Sequence, residues 1–475
     1  MTDPKDNAPK PDPAAKPAQP APAPAPKPAA APATPAAAPA AAGAPAAAAA
    51  PKPPPKPVVK IPDPVFNHSA GRLLMPDNRY WPTDMWKNPW SRRSYQVSAF
   101  LLGVIVFGGL AASWAIGELT GLGDRLYGAI AQIVGAQGLP EAVTVGVWTM
   151  IKVLIVLHIV ILSPIFLVWW ERKISAHIQT RLGPMTVGGW HGWAQTIADG
   201  IKLLLKEDVT PIVADRWAHR MAPLIVTAPA ILAFAPVSFG KGLSAADIDV
   251  GVLYIFAIAG VSVIGIVMAG WASGNKFSLL GGLRSAAQLV SYELPRAFSV
   301  VPVIMFASSL NLTAIGDAQA GYWWGIVPRW FIFYPVVGQL SFLIFLIASV
   351  AETNRIPFDI PEAESELVAG FHTEYSGMKF SLFFLAEYAY VMLASCLTAA
   401  FFLGGGASPV AGLEGVIPSW MWFMGKVFFI VFCFLWFRWT FPRFRVDRLM
   451  DFNWKFLLPW SFANIALAGA YLAFK

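Results

Sequence analysis

The chain has 475 residues, 56% of them hydrophobic and 13% charged, with 20 Trp and 33 Phe; this balance excludes a water-soluble core and points to a polytopic membrane protein. Its formal charge of +7 is no nucleic-acid signature, because the basic residues sit in an N-terminal tail and in short loops between apolar runs. Cys396 and Cys433 lie inside apolar runs with no CxxC or Cys/His cluster nearby, which argues against a disulfide framework, a zinc site or an iron–sulfur site.

Residues 1–60 are Ala, Pro and Lys with almost no large apolar side chain, so they read as a disordered cytoplasmic tail that cannot bury enough surface to offset chain entropy. The tail lacks the continuous apolar run of a secretory signal and is too Arg-poor for a mitochondrial transit peptide. Residues 61–144 read as an N-terminal extension, with a first bilayer-length run at Val97–Gly117. Eight more runs follow, at Val145–Trp170, Met221–Phe239, Val250–Trp271, Ser285–Leu310, Phe331–Val350, Met378–Leu403, Ser419–Phe437 and Phe456–Phe474. The expected fold is all-α, with about nine transmembrane helices.

If every run crosses, the cations segregate. Arg172, Lys173, Arg181, Lys202, Lys206, Arg216 and Arg220 share one loop, Lys276 and Arg284 flank another, and Arg438, Arg443, Arg445 and Arg448 gather at a third. The opposite loops offer little beyond Arg125, Lys241 and Arg329. The basic loops and the N-terminus are therefore expected in the cytoplasm and the C-terminus outside. No internal repeat is visible in the runs, which counts against transporters built from inverted repeats.

Between the second and third runs, GGWHGWAQTIADGIKLLLKED is too polar to cross, yet Trp190, Trp193, Ile197, Ile201 and Leu204 recur at helical spacing. An amphipathic helix lying in the membrane interface is expected. Asp199, Lys202 and Lys206 fall on another side of it, with Asp199 and Lys202 spaced to pair at i,i+3.

Two carboxylates, Glu293 and Glu387, fall inside apolar runs. A charge at the bilayer centre costs at least about 2.5 kcal/mol, so each faces the protein interior and either pairs or takes up a proton. Glu293 has Arg284 and Arg296 on its own helix as candidate partners, whereas Glu387 has no cation on its helix within easy reach. His158, alone in its run, reads as a hydrogen-bonded packing residue rather than a proton carrier. Glu171, Arg172 and Lys173 stand where the second run meets the basic side, as topology anchors or as functional groups.

Glu352–Gly377 is the most loaded loop, holding Glu352, Asp359, Glu362, Glu364, Glu366 and Glu374 around one internal cation, Arg355. Crowded carboxylates repel one another, and those away from bulk water are driven toward protonation. A hydrated line of acids moves protons, but with no metal or cofactor motif a partner must supply the energy.

The segments WWERKISAHIQTRLGP, DGIKLLLKED, RSAAQLVSYELPRA, AETNRIPFDIPEAESELVAGFHTEYSGMKFSLFFLAEY and RWTFPRFRVDRLM resemble, in order and spacing, the quinone-chamber membrane subunit (NuoH type) of respiratory complex I, the proton-pumping NADH:quinone oxidoreductase. The likeness covers residues 145–475 and implies the family's eight-span helical domain, preceded here by the tail and one extra span. It implies a subunit with no redox centre and no covalent cofactor, acting on ubiquinone or menaquinone. NADH, FMN and iron–sulfur clusters would belong to partner subunits, and the neighbours would be peripheral quinone-site and iron–sulfur subunits, small membrane subunits and antiporter-like subunits in a bacterial inner membrane. Carried over, the proton-pathway acids are Asp199, Glu293, Glu352, Glu362, Glu364 and Glu387, with Glu207 a lesser candidate. Glu171, Arg172, Arg181, Arg284, Arg355, Phe358 and Asp359 would line or brace the quinone chamber. The competing readings are the equivalent subunit of a membrane-bound hydrogenase or formate hydrogenlyase, which reduces no quinone, and a standalone proton-coupled transporter.

Overall fold

A computed structural model describes residues 120–136, 140–188, 191–240, 243–360, 367–413 and 417–474. The expected tail, the extra span at Val97–Gly117, and the loop acids Glu362, Glu364 and Glu366 lie outside them, as does Trp190.

The described residues form helices α1 (Thr120–Ala136), α2 (Glu141–Ile178), α3 (Gln195–Leu205), α4 (Arg216–Leu232), α5 (Gly251–Ala272), α6 (Lys276–Ala307) and α7 (Leu312–Ala318). Next come a two-residue hairpin, β1 (Tyr322–Trp323) against β2 (Val327–Pro328), and then α8 (Val337–Glu352), α9 (Gly377–Phe402), α10 (Ser419–Thr440), α11 (Val446–Phe452) and α12 (Leu458–Ala473), with a π turn joining the last two. Among the described residues, six helical stretches are long and apolar enough to cross a membrane, and α8 is a shorter apolar helix. The chain is a multi-pass membrane protein of all-α class.

The helix ends differ from the apolar runs for identifiable reasons. Helix α4 starts five residues ahead of its run because Asp215 caps it, accepting from the Trp217 and Ala218 amides. Helix α8 starts six residues late: Pro335 cannot continue a helix, and Phe331–Phe333 make only a 3-10 turn. Helix α2 runs 38 residues, about 57 Å at 1.5 Å per residue, well beyond the ~30 Å hydrocarbon layer. It carries its last two turns or so out into the basic loop.

Helix α9 is the buried axis, with every residue from Val391 to Phe402 buried. It packs against α2, α4, α8 and α10, while α6 is flanked by α5, α8 and α12. The outward faces of α2 and α10 show Val153, Leu154, Leu162, Phe429 and Trp436, as expected where lipid replaces water as solvent. Helix α3 buries no residue and leaves Ile197, Ile201 and Leu204 exposed, in keeping with an interfacial helix.

On the side opposite the basic loops, Gln319 is fully buried and uses its whole hydrogen-bonding capacity on main chain. Its Nε2 donates to the carbonyls of Ile315 and Ala400, and its Oε1 accepts from the amides of Phe331 and Gly404. Lys426 lies nearby inside α10, donating to the carbonyls of Leu403, Gly405 and Ala407 at 2.6, 2.9 and 2.7 Å, with its ammonium 4.4 Å from the Trp330 ring centre. It caps the exposed carbonyl end of α9. Hydropathy does not reveal this lysine, because an apolar run of 19 residues absorbs one charge without losing its character.

Candidate functional site

The site is built where α2, α9 and α10 meet the loop after α8. Helix α8 ends at Glu352, Asn354 turns left-handed (φ 51°), and Arg355 is swung inward. Gln288 of α6 pins this loop by donating to the carbonyls of Ala351 and Phe358 at 2.8 and 2.7 Å. Phe358 packs between the rings of Tyr292 and Phe444, while Asp359 pairs with Arg443 at 3.0 Å.

Arg355 is buried between two carboxylates, its Nη1 2.9 Å from Glu171 Oε2 and its Nε 2.8 Å from Glu387 Oε1. The guanidinium also lies 4.5 Å from the centre of the Tyr388 ring, and the Tyr388 hydroxyl donates to Glu171 at 2.7 Å. Arg438 at the end of α10 closes the group with an ion pair to the other Glu171 oxygen. Two carboxylates and two guanidiniums thus balance, which is what permits Glu171 and Arg355 to be buried, with Glu387 and Arg438 part-exposed at the edges. Sequence alone places Glu171 and Arg355 in different loops and reads Arg438 as a topology anchor.

A second pair stands beside it. Arg296 of α6 is buried, ion-paired with Glu352, and packed between the rings of Phe256 and Phe345 at 5.3 and 5.4 Å. Glu293, one turn earlier on α6, makes no ion pair within 4 Å among the described residues. Gly260 of α5 leaves it room: a Cβ there would lie 3.3 Å from the Glu293 Oε1.

Glu293, Glu352 and Glu387 meet on one cavity of about 50 Å³, large enough for about three waters. Its other walls include Ser262, Asn354, His372 and Tyr390, with Val226, Ile266, Leu289, Phe371 and Phe383 supplying an apolar lining. Three of the six expected pathway acids therefore share one chamber.

The remaining expected residues are placed elsewhere. Asp199 pairs with Arg172 at 2.6 Å and lies 3.9 Å from Lys202, on the partly exposed flank of α3. It does not line the acid cavity. Arg181 is exposed and donates to Gln179 at 2.7 Å, Arg284 is half-buried on α6, and Glu207 is exposed. Lys173 is a buried tie that donates to the Pro184 carbonyl at 2.6 Å. His158 is exposed, with Nδ1 2.7 Å from the Leu154 carbonyl of its own helix, so it is hydrogen-bonded as expected but faces outward.

A separate clasp joins the segment after α3 and the first turn of α4 to the start of α9. The rings of His219 and Tyr375 stack at 4.1 Å and 4°, Lys379 pairs with Asp208 at 2.8 Å, and Ser376 accepts from the Val209 amide. Burial pushes the Tyr375 phenol above its ordinary range, so it stays a neutral packing surface. In the α2–α3 loop, burial and then the Lys173 charge hold the His191 imidazole below its usual range.

Comparison with known proteins adds to this geometry. A family model described as NADH dehydrogenase matches residues 151–469. The second H-type NADH-quinone oxidoreductase subunit of Rhizobium meliloti (strain 1021) is 44% identical over 327 residues, covering 67% of this chain and 95% of the relative. The H-type subunit of Anoxybacillus flavithermus (strain DSM 21510 / WK1) is 51% identical over 295 residues, 62% of this chain and 85% of the relative. NADH-quinone oxidoreductase subunit 8 of Rhodothermus marinus is 46% identical over 338 residues, 69% and 97% respectively.

Proposed function

The chain belongs to the NADH dehydrogenase family, that of the NuoH-type membrane subunits of NADH-quinone oxidoreductase, and from that premise we propose that it forms the membrane wall of the quinone chamber and links quinone reduction to proton translocation. The single observation that carries this reading is the convergence of Glu293, Glu352 and Glu387 on one cavity beside the Glu171–Arg355–Glu387 network. Electrons would come from NADH through FMN and iron–sulfur clusters of partner subunits, and the substrate is ubiquinone or menaquinone. The complex sits in the bacterial inner membrane, with the basic loops and N-terminus cytoplasmic and the C-terminus periplasmic.

In this reading Glu171, Arg172, Arg181, Arg284, Arg355, Phe358 and Asp359 brace or line the chamber. An isoprenoid tail needs an apolar entrance open to the bilayer, which exposed Ile197, Ile201 and Leu204 of α3 would frame. Reduction to quinol consumes two protons. Arg355 is shared between Glu171 and Glu387, so a proton arriving at Glu171 leaves that guanidinium to Glu387 alone and strengthens the second pair. Charge at the chamber edge is thereby communicated to the acid cavity through one side chain. Glu362 and Glu364 would extend the acids toward the peripheral arm, and Asp199, paired with Arg172, would hold the interfacial helix to the chamber wall.

The test is Glu293→Gln in the assembled complex in native membranes. NADH:quinone turnover and NADH-driven proton uptake are expected to fall together while NADH:ferricyanide activity stays at the wild-type level. Unchanged quinone turnover and proton uptake would sink the reading.

A further inference from the structure

Tyr390 is a polar wall of the acid cavity that stands outside both ion-paired groups. It lies three residues after Glu387 on α9, so both project from one face, with Tyr390 about 4.5 Å further along the axis at 1.5 Å per residue. Glu293 and Arg296 are its charged neighbours on α6, and Ser262 flanks it on α5. Its hydroxyl oxygen is buried and makes no hydrogen bond of acceptable geometry to a described residue. The Ser262 hydroxyl beside it donates to the Ala259 carbonyl at 2.8 Å and retains lone pairs that can accept from the phenol.

A phenylalanine would fill the same volume without leaving a buried hydroxyl unsatisfied. The hydroxyl becomes tolerable when it faces water, and a cavity of about 50 Å³ holds about three waters. With Glu352 paired to Arg296 and Glu387 paired to Arg355, the acid left without an ion pair among the described residues is Glu293. A neutral hydroxyl lining the same cavity as these acids can accept a hydrogen bond from one side and donate on the other.

We infer that Tyr390 is a proton-relay positioning residue, whose hydroxyl joins the Glu352 and Glu387 end of the cavity, through its water, to Glu293. The step balances without any redox partner. A proton from the Glu387 side forms a new O–H bond at the phenol oxygen as the original O–H bond breaks and its proton passes by water to the Glu293 carboxylate. The hydroxyl then turns back to its starting orientation, and the phenol carries no net charge before or after. The inference rests on the proton-pathway reading given above.

Tyr390→Phe in the full complex in native membranes tests it, with Glu293→Gln in parallel and ferricyanide activity reporting assembly. Water can take over part of the hydroxyl's place, so a loss of about tenfold in NADH:quinone turnover and proton uptake is expected, below the ~10²–10⁴ contributed by an obligatory proton-transfer group. The solvent deuterium isotope effect on turnover should rise, and Tyr390→His, which restores a relaying group, should recover part of the rate. Wild-type turnover in Tyr390→Phe, or a loss with an unchanged isotope effect, overturns the inference. If Glu293→Gln is impaired while Tyr390→Phe is not, only the tyrosine's role fails; if Glu293→Gln is unimpaired, the proton-pathway reading fails with it.

Discussion

Arg355 sets its Nε 2.8 Å from Glu387, so the loop cation and the mid-span acid form one charged unit. The acid that seems unaccompanied on its own helix is met by a residue 32 positions earlier in the chain. Its partner arrives from outside the span.

Removing that cation should be severe. Arg355→Ala leaves Glu171 to Arg438 and takes from Glu387 the guanidinium it pairs with, and breaking a buried pair costs about 3–5 kcal/mol. Loss of the assembled complex from solubilised membranes, read on a native gel, is the expected outcome. Arg355→Lys should assemble, but with lower quinone turnover, because one ammonium cannot span both carboxylates as the guanidinium fork does. Full turnover in Arg355→Lys would count against the bridging role.

Two glycines on α5 separate a functional effect from a packing effect. Gly260→Ala places its Cβ 3.3 Å from the Glu293 Oε1 and should displace that carboxylate, lowering quinone turnover with little change in thermal stability. Gly265→Ala meets Val226 Cγ2 at 2.6 Å and should lower the melting temperature of the complex, in line with about 1–3 kcal/mol for overpacking. Paired thermal melts and turnover measurements check both, and a reversed pattern would refute the assignment.

Lys426→Met should destabilise the protein by about 3 kcal/mol, since it strips three main-chain carbonyls of a charged donor. Complex that survives should keep its quinone turnover per assembled unit, because Lys426 does not line the acid cavity. A calorimetric melt and a turnover assay on the same preparation read the two quantities.

Sidedness can be read by cysteine labelling. The hairpin tip Trp324 is 92% exposed, and the Asp447 side chain is 73% exposed in the segment after α10. With native Cys396 buried, Asp447→Cys should react with an impermeant maleimide in inverted vesicles, and Trp324→Cys in spheroplasts. The opposite labelling would reverse the proposed orientation.

Hydropathy made the bundle readable, and it singled out Glu293 and Glu387 because a charge in an apolar run is conspicuous. The pairings were not readable, since Glu171 and Arg438 are 267 positions apart and no local spacing links them. Arg296 illustrates the limit: its spacing favours Glu293 on the same helix, yet the end of α8 brings Glu352 to it. Tyr388 and Tyr390 carried no signal beyond being aromatic. Their meaning comes from which face of α9 looks at the cavity.

The amide of Gln319 gains a different significance beside these charges. Its four partners are all main-chain groups, and neither the amide nor those groups change charge as protons come and go. The ends of α7 and α9 and the turn before α8 are therefore fastened by a joint indifferent to pH and to salt. That end of the bundle thus combines a neutral amide joint with the Lys426 cap, in contrast to the paired carboxylates and guanidiniums around Arg355.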